Sequence, residues 1–328
     1  MTKILSSPAK TFIIGEYLAT AEGQCVVATT GPRFTLSQEA NRVSTFENSV
    51  LGSVAESPAG LLKQWAYQAA AAAGESQVGP LSEKLDQVFQ AQMLDQGKEL
   101  GLFSGGFGAS SSEFLLSYYL IAPHLGLDKN PWKVWALYRE LTHRANEVSP
   151  SGADILAQWR GGIQFIDFQK RSSLDLSPVM DWSKISIFSA TSPSTALGSA
   201  RKVATHQNLA QFKGLAHRDH ERLSEIVEQA LEAIFGANLR SLGSALVRYA
   251  DALAALGLEV DSARADREFF MQFKEVMGAK GAGAMLADSL VVVSEGSLPV
   301  SIIEKAEARG LKLVSAGIFP EFGTGLFR

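Results

Sequence analysis

Strand-like runs and helical segments follow one another along this chain of 328 residues without a regular βαβ alternation. A doubly wound parallel sheet needs that alternation, so the order of elements favours an α+β protein built from two sandwiches. Residues 1–36 are predicted to open the fold as four short strands separated by proline and glycine. The strands are predicted at 3–6, 11–14, 24–29 and 33–36, and the breaks at Pro8, Gly15, Gly23, Gly31 and Pro32.

The rest of the chain mixes helical and strand patterns. Helices are predicted at residues 61–73, 81–94, 110–125, 131–146, 200–212, 218–235, 239–256, 263–277 and 300–309, with a short one after Gly152. Strands are predicted at 162–168, 184–189, 289–294 and 311–316. A chain of this length exceeds the usual size of one core, and the polar stretch 169–176 is interpreted as a linker. We therefore expect two domains, 1–174 and 175–328.

Composition excludes several classes of protein. Hydrophobic residues make up 46% and charged residues 20%, which is typical of a globular protein, and the net charge of -4 indicates no nucleic-acid partner. No stretch approaches the roughly 20 apolar residues that span a bilayer, and the N-terminus is too short and polar for a signal peptide. Cys25, the one cysteine, is predicted to be buried in a strand. We expect a cytoplasmic protein with a small-molecule substrate and no membrane partner, as a monomer or a homodimer.

A glycine-rich turn and three consecutive hydroxyls, those of Ser110, Ser111 and Ser112, stand directly ahead of an apolar helical run, in the segment Ser104-Gly105-Gly106-Phe107-Gly108-Ala109-Ser110-Ser111-Ser112-Glu113. Glycine allows positive φ and a close approach of the backbone, and the first amides of a helix are unpaired donors at its positive end. A phosphate suits such a turn, whereas ordinary helix capping is the alternative interpretation. The common phosphate loop GxxxxGK[ST] and the dinucleotide pattern GxGxxG are both missing.

Two charged residues stand where apolar neighbours predict burial. Lys10 begins an apolar strand that ends in Gly15-Glu16-Tyr17, and Asp154 follows Ser151-Gly152 in the first turn of a short helix. A solvated lysine and an aspartate that complements the helix dipole are the simple explanations. The functional explanations are that Lys10 provides a partly desolvated ammonium beside a phosphate, and that Asp154 is a base or charge partner for an attacking hydroxyl.

The segment 277–288 is rich in glycine and alanine and precedes a predicted strand. It includes Gly281, Ala282, Gly283 and Ala284. A loop this poor in side chains either offers backbone amides to a ligand or lets two elements pack closely, and the pattern alone favours neither.

Together and in this order, these segments resemble the GHMP small-molecule kinases, named for galactokinase, homoserine kinase, mevalonate kinase and phosphomevalonate kinase. The resemblance runs through almost the whole chain. Its four motifs are similar to Pro8-Ala9-Lys10 with Gly15-Glu16-Tyr17, to Gly106–Ser112, to Ser151-Gly152-Ala153-Asp154 with Gly161-Gly162, and to Gly281–Ala284. The resemblance implies a two-domain α+β fold, with an N-terminal α/β sandwich of a ribosomal-protein type and a C-terminal ferredoxin-like domain.

The resemblance also implies roles for these residues. The central loop would bind the ATP phosphates through Gly106, Gly108, Ala109, Ser110, Ser111 and Ser112, and Ser110 would help to hold Mg2+. Lys10 and Asp154 would lie on either side of the acceptor hydroxyl, as stabilising cation and as base. The acceptor pocket would include Glu16, Tyr17, Ser151, Gly152, Gly281, Ala282 and Gly283.

The acceptor is less constrained. Tyr17, and His143 in place of a helix glutamate eleven residues before Asp154, make the chain more similar to phosphomevalonate kinases than to mevalonate kinases. Mevalonate kinase, a sugar kinase, a diphosphomevalonate decarboxylase and a relative that only binds a nucleotide remain alternatives, although Lys10 counts against the decarboxylase. Cations for a phosphorylated acceptor are predicted among Arg139, Arg144, Arg160, Arg201 and Lys202.

Overall fold

The structure is a computed structural model that describes residues 4–37, 48–72, 75–96, 106–144, 148–190, 209–283 and 289–327. In chain order its elements are β1 (Ile4–Ile14), α1 (Glu16–Thr20), β2 (Gln24–Ser37), β3 (Asn48–Val50), α2 (Pro58–Ala72), α3 (Glu75–Phe89), β4 (Gln92–Asp95), α4 (Ala109–Leu125), α5 (Pro131–Thr142), α6 (Ala153–Arg160), β5 (Ile163–Asp167), β6 (Ser172–Asp175), β7 (Ile185–Ala190), α7 (His217–Phe235), α8 (Leu239–Ala255), α9 (Asp261–Phe270), β8 (Val276–Ala282), β9 (Ser289–Ser294), α10 (Val300–Ala308), β10 (Leu311–Ser315) and β11 (Gly325–Phe327). The expected α+β class is confirmed.

The first sheet has seven strands and is organised around two long ones. β1 and β2 pair antiparallel over most of their length, β11 flanks β1, and β4 and β5 both pair with β2. The prediction of four short strands was wrong because the prolines do not end the ladder. The register shifts between Pro8 and Ala9, where Gly31 and Pro32 drop out of the pairing, so the missing amide of Pro32 breaks no hydrogen bond.

The second sheet has four antiparallel strands in the order β10-β7-β9-β8. The prediction of one helix over 263–277 was wrong, because α9 ends at Phe270 and β8 begins at Val276. Glycine explains the strand: a Cβ on Gly278 would lie 2.3 Å from the carbonyl oxygen of Gly243, so only glycine lets α8 approach β8 this closely. The strand predicted at 289–294 is confirmed as β9.

Two further predictions were wrong. The stretch 169–176 is not a linker, since Ser172–Asp175 forms β6 at the edge of the first sheet, where polar residues are favoured. The helix predicted at 81–94 ends at Phe89, and the next residues form β4 because β2 and β3 offer it a place in the sheet. Residues 200–208 of another predicted helix lie outside the described residues.

The strands of the first sheet come from residues 4–175 and 325–327, and those of the second from residues 185–315. The division at 174/175 stays a prediction. Helices α4 and α6 pack on the first sheet, and α2, α3 and α5 pack against these two helices. One large apolar cluster continues from there into α7 and α8, while a smaller cluster surrounds Phe188 and Phe270. Within the described ranges, no helix is long and apolar enough to cross a bilayer.

Candidate active site

The predicted phosphate turn leads into α4. Gly106 and Gly108 have φ of 25° and 89°, and Gly108 is the N-cap of the helix. The first helical hydrogen bond runs from the amide of Ser112 to the carbonyl of Gly108 at 2.8 Å. The amides of Ala109, Ser110 and Ser111 have no hydrogen-bond partner in the part of the chain that the structure describes, and they point out of the helix end. These amides form a site suited to an anion.

Of the three consecutive serines at the start of α4, Ser110 is exposed, whereas Ser111 and Ser112 are buried. Ser111 Oγ donates to Gln158 Oε1 at 2.6 Å, and Ser112 Oγ accepts from Gln158 Nε2 at 2.7 Å. Ser111 therefore keeps only its amide for a ligand. The prediction for Ser112 does not fit this geometry, because its amide and its hydroxyl are both engaged inside the protein.

Gln158 is a residue that sequence reasoning missed. It is fully buried, and its Nε2 also donates to the carbonyl oxygens of Pro8 at 2.7 Å and Gly108 at 3.2 Å. It thereby ties α6 to β1 and to the start of α4. One signal could have found it: Gln158 follows Asp154 by four residues, so the two lie on the same face of a short helix.

The C-terminal segment extends this buried network. Thr324 Oγ1 donates to Ser7 Oγ at 2.9 Å, and the amide of Thr324 donates to the carbonyl of Gln158 at 2.7 Å. Ser7 Oγ also accepts from Ser112 at 3.0 Å. Residues near both ends of the chain thus support the phosphate turn.

Lys10 lies beside the same turn. Its amide donates to the carbonyl of Phe107 at 2.9 Å, and its Nζ lies 4.8 Å from the ring centroid of Phe12. The side chain is buried, and no carboxylate of the described residues forms an ion pair with it. Burial lowers the pKa of Lys10, and the charges of Asp154 and Glu16 oppose that shift. An ammonium held in this way interacts strongly with a nearby phosphoryl group.

Asp154 lies in the first turn of α6 and is half-buried. The approach to the helix is fixed by Trp135, whose Nε1 donates to the carbonyl of Ser151 at 2.8 Å. Gly152 has φ of 71°, and a Cβ there would lie 2.6 Å from Trp135 Cδ1, so glycine is required on both counts. Ser151 Oγ accepts from the amide of Ala153 at 3.3 Å. Ser151 and Gly152 therefore position Asp154.

Glu16 and Tyr17, predicted for the acceptor pocket, are buried where the two sheets meet. Glu16 Oε1 forms a 2.7 Å ion pair with Lys280 Nζ, a residue of β8 that the sequence reasoning did not single out. Tyr17 donates its hydroxyl to the carbonyl of Leu258 at 3.1 Å, and its ring packs against Phe212. The side chain of Tyr17 thus serves packing, and its identity says little about the acceptor.

The fourth motif, Gly281–Ala284, begins in a strand rather than in a loop. Gly281 and Ala282 are the last residues of β8 and are buried, and Gly283 follows with φ of 88°. Ala284 lies outside the described residues. Among the described residues of this motif, Gly283 alone lies in a loop, so it is the one whose amide can still line an acceptor pocket in the predicted way. The carbonyl oxygen of Gly281 accepts from Lys280 Nζ at 2.6 Å.

The residues fit nucleotide phosphates better than a protein-built metal site. Within the described ranges no three acidic, histidine or cysteine side chains gather as metal ligands. Glu113 accepts from the amide of Gly52 at 2.8 Å, and burial raises its pKa, so it is a poor ligand. Mg2+ in phosphate sites needs only one or two protein oxygens, and the exposed Ser110 hydroxyl can be one of them.

The predicted acceptor cations that the structure describes lie at or near the surface, as does His143. Arg139 pairs with Glu22 and Arg144 with Glu56, and His143 Nδ1 shares a hydrogen bond with Ser149 Oγ at 2.7 Å. Arg160 is exposed, and Arg201 and Lys202 lie outside the described residues.

The fold is that of the GHMP small-molecule kinases. The chain is similar over 99% of its length to mevalonate kinase of Methanococcus jannaschii (11% identity, 98% of that chain, TM-score 0.62). It is also similar over 97% of its length to phosphomevalonate kinase of Streptococcus pneumoniae (13% identity, 98% of that chain, TM-score 0.63). Over 99% of its length it is similar to galactokinase of Lactococcus lactis (12% identity, 94% of that chain, TM-score 0.64). No protein-family model and no curated protein matches the sequence. The resemblance inferred from four short motifs is thus confirmed in three dimensions.

Proposed function

We propose that the protein is an ATP- and Mg2+-dependent kinase that phosphorylates an acceptor of the mevalonate pathway, with phosphomevalonate as the first candidate. One observation carries this assignment. The unpaired amides at the start of α4, the buried ammonium of Lys10 and the carboxylate of Asp154 converge, since Lys10 is bonded through its amide to Phe107 and its charge interacts with that of Asp154. Phosphoryl transfer needs these three elements together.

Each group of residues has a separate role in phosphoryl transfer. ATP would supply the phosphoryl group, with Mg2+ to offset its charge. The amides of Ala109, Ser110 and Ser111 would bind phosphate oxygens at the positive end of α4, and the Ser110 hydroxyl would be a ligand of Mg2+. Lys10 stabilises negative charge on the transferring group, and Asp154 orients the acceptor and holds its proton.

Mevalonate is the second candidate, and two observations favour it. Arg139 and Arg144, predicted to bind a phosphate on the acceptor, instead pair with Glu22 and Glu56 at the surface. In addition, the carboxylate of Asp154 suits a hydroxyl acceptor, whose proton it can take, better than a phosphate oxygen that already carries negative charge.

A coupled assay of ADP release with ATP and Mg2+ tests the proposal. The acceptors are mevalonate, phosphomevalonate, diphosphomevalonate and several sugars, and release of CO2 is followed in parallel. Asp154→Asn is the control, since it keeps the size of the side chain and removes the charge. We expect turnover with one acceptor and at least a hundredfold loss in the variant, the usual scale for a proton-transfer group.

Two outcomes would contradict the proposal. CO2 release from diphosphomevalonate would make the protein a decarboxylase. Normal ATP binding with no ADP release from any acceptor would leave a nucleotide-binding relative, for which the sparse metal site is the supporting feature.

A further inference from the structure

A buried ion pair joins the second sheet to the residues that follow β1. Lys280 is fully buried, and its Nζ contacts Glu16 Oε1 at 2.7 Å and the carbonyl oxygen of Gly281 at 2.6 Å. The ring of Tyr249 lies beneath it, with its centroid 5.7 Å from Nζ. Lys280 is therefore held from three sides. Burying two charges this completely costs desolvation free energy, which their mutual attraction often repays only in part, so the pair is weak evidence for a purely stabilising role.

Glu16 stands between two lysines. Its Oε1 is bonded to Lys280, while its Oε2 is buried and has no hydrogen-bond partner among the described residues. Its charge also acts on Lys10. The titratable groups that face Lys10 are Asp154 on α6, Glu16 on α1 and Cys25 on β2. Asp154 and Glu16 can thus both attract the ammonium group of Lys10, and Glu16 is already paired with Lys280.

We propose that Lys280 is a positioning residue: it holds Glu16, and by doing so leaves Lys10 directed at Asp154. The inference rests on the proposed function for the part that Lys10 plays in phosphoryl transfer. Without Lys280, the carboxylate of Glu16 becomes an uncompensated buried charge, and Lys10 is the cation that it recruits. Lys10 then binds its proton more tightly and turns away from the acceptor.

Titration of Lys10 tests this without any need for turnover. Protein labelled with 13C at lysine Cε is followed by NMR against pH, and Lys10→Arg assigns the signal. We expect the midpoint of Lys10 to move to higher pH in Lys280→Met and to return in Lys280→Met/Glu16→Gln, which removes both partners of the pair. Equal midpoints in all three proteins would overturn the proposal, because a purely structural pair moves only the stability.

A second variant covers the case in which Lys280→Met does not fold. Glu16→Gln keeps the oxygen that Lys280 binds and removes the charge, so the midpoint of Lys10 should move to lower pH; an unchanged midpoint would contradict the proposal. With an acceptor in hand, kcat should fall at least about tenfold in Lys280→Met, with the KM for ATP unchanged, and recover in the double variant. Absence of turnover in the parent protein would remove the proposed function but leave the titration result valid.

Discussion

The two ends of α4 offer a matched test of the phosphate turn. Gly108 precedes the helix with φ of 89° and Gly126 follows it with φ of 64°, so alanine at either position is strained by roughly 1–2 kcal/mol. The surroundings differ. A Cβ at Gly126 meets nothing within 4 Å, whereas one at Gly108 lies 2.6 Å from Gln158 Nε2. Gln158 has to move, and the loss of its bonds to Pro8 and Ser112 adds about 1 kcal/mol each.

We therefore expect Gly108→Ala to lower the free energy of unfolding by about 3–4 kcal/mol and Gly126→Ala by about 1–2 kcal/mol. Calorimetric titration with ATP and Mg2+ should show a loss of affinity of at least about tenfold for Gly108→Ala alone, which corresponds to about one charge-assisted hydrogen bond. Urea denaturation gives the stabilities. Equal stabilities of the two variants, or unchanged nucleotide affinity in Gly108→Ala, would refute the idea that Gln158 holds the turn in place.

Two further predictions concern stability. Thr11 Oγ1 is buried without a hydrogen-bond partner among the described residues, so Thr11→Val should raise the free energy of unfolding by about 1 kcal/mol. Thr29→Val loses the 2.8 Å hydrogen bond to the carbonyl of Gly162 and should lower the free energy of unfolding by a similar amount. Urea titration of both variants checks this, and the same sign for both would contradict it. Burial raises the pKa of Glu113 above its ordinary value of 4.5, so between pH 4.5 and the native pKa the native state binds more protons than the unfolded state, and stability should fall as pH rises through that window. In Glu113→Gln, whose amide oxygen still accepts from Gly52, that fall should be missing from unfolding curves measured across this range; an unchanged pH dependence would assign it to other groups.

Much of the fold could be predicted from the sequence. Strands with apolar runs and glycine borders, such as β9, and helices with clear periodicity, such as α7, have the predicted bounds to within a residue. The wrong predictions concern segments whose secondary structure is decided by pairing with distant parts of the chain. A run of small residues such as Val276–Ala282 has no strong preference of its own, and it becomes a strand because β9 pairs with it and α8 packs against its glycines.

The candidate site divides in the same way. Gly108, Lys10 and Asp154 could be singled out because backbone freedom and charge among apolar neighbours leave local signals. Lys280 could not, and Gln158 could be suspected only from its four-residue spacing to Asp154, because what matters about both is their distant partners. Gln158 bonds to residues 46 to 150 positions away, and Lys280 bonds to Glu16, 264 positions away. No local pattern reports such contacts.

The pairing of β11 with β1 has a consequence for biosynthesis. Ser6 pairs with Gly325, and Arg33 donates to the carbonyls of Phe322 and Gly323, so these bonds cannot form until the ribosome has released residues more than 280 positions downstream. During translation the outer edge of β1 is an open ladder, the kind of surface on which nascent chains aggregate or recruit chaperones. The strand that carries Lys10 is therefore made long before the strand that completes its outer edge.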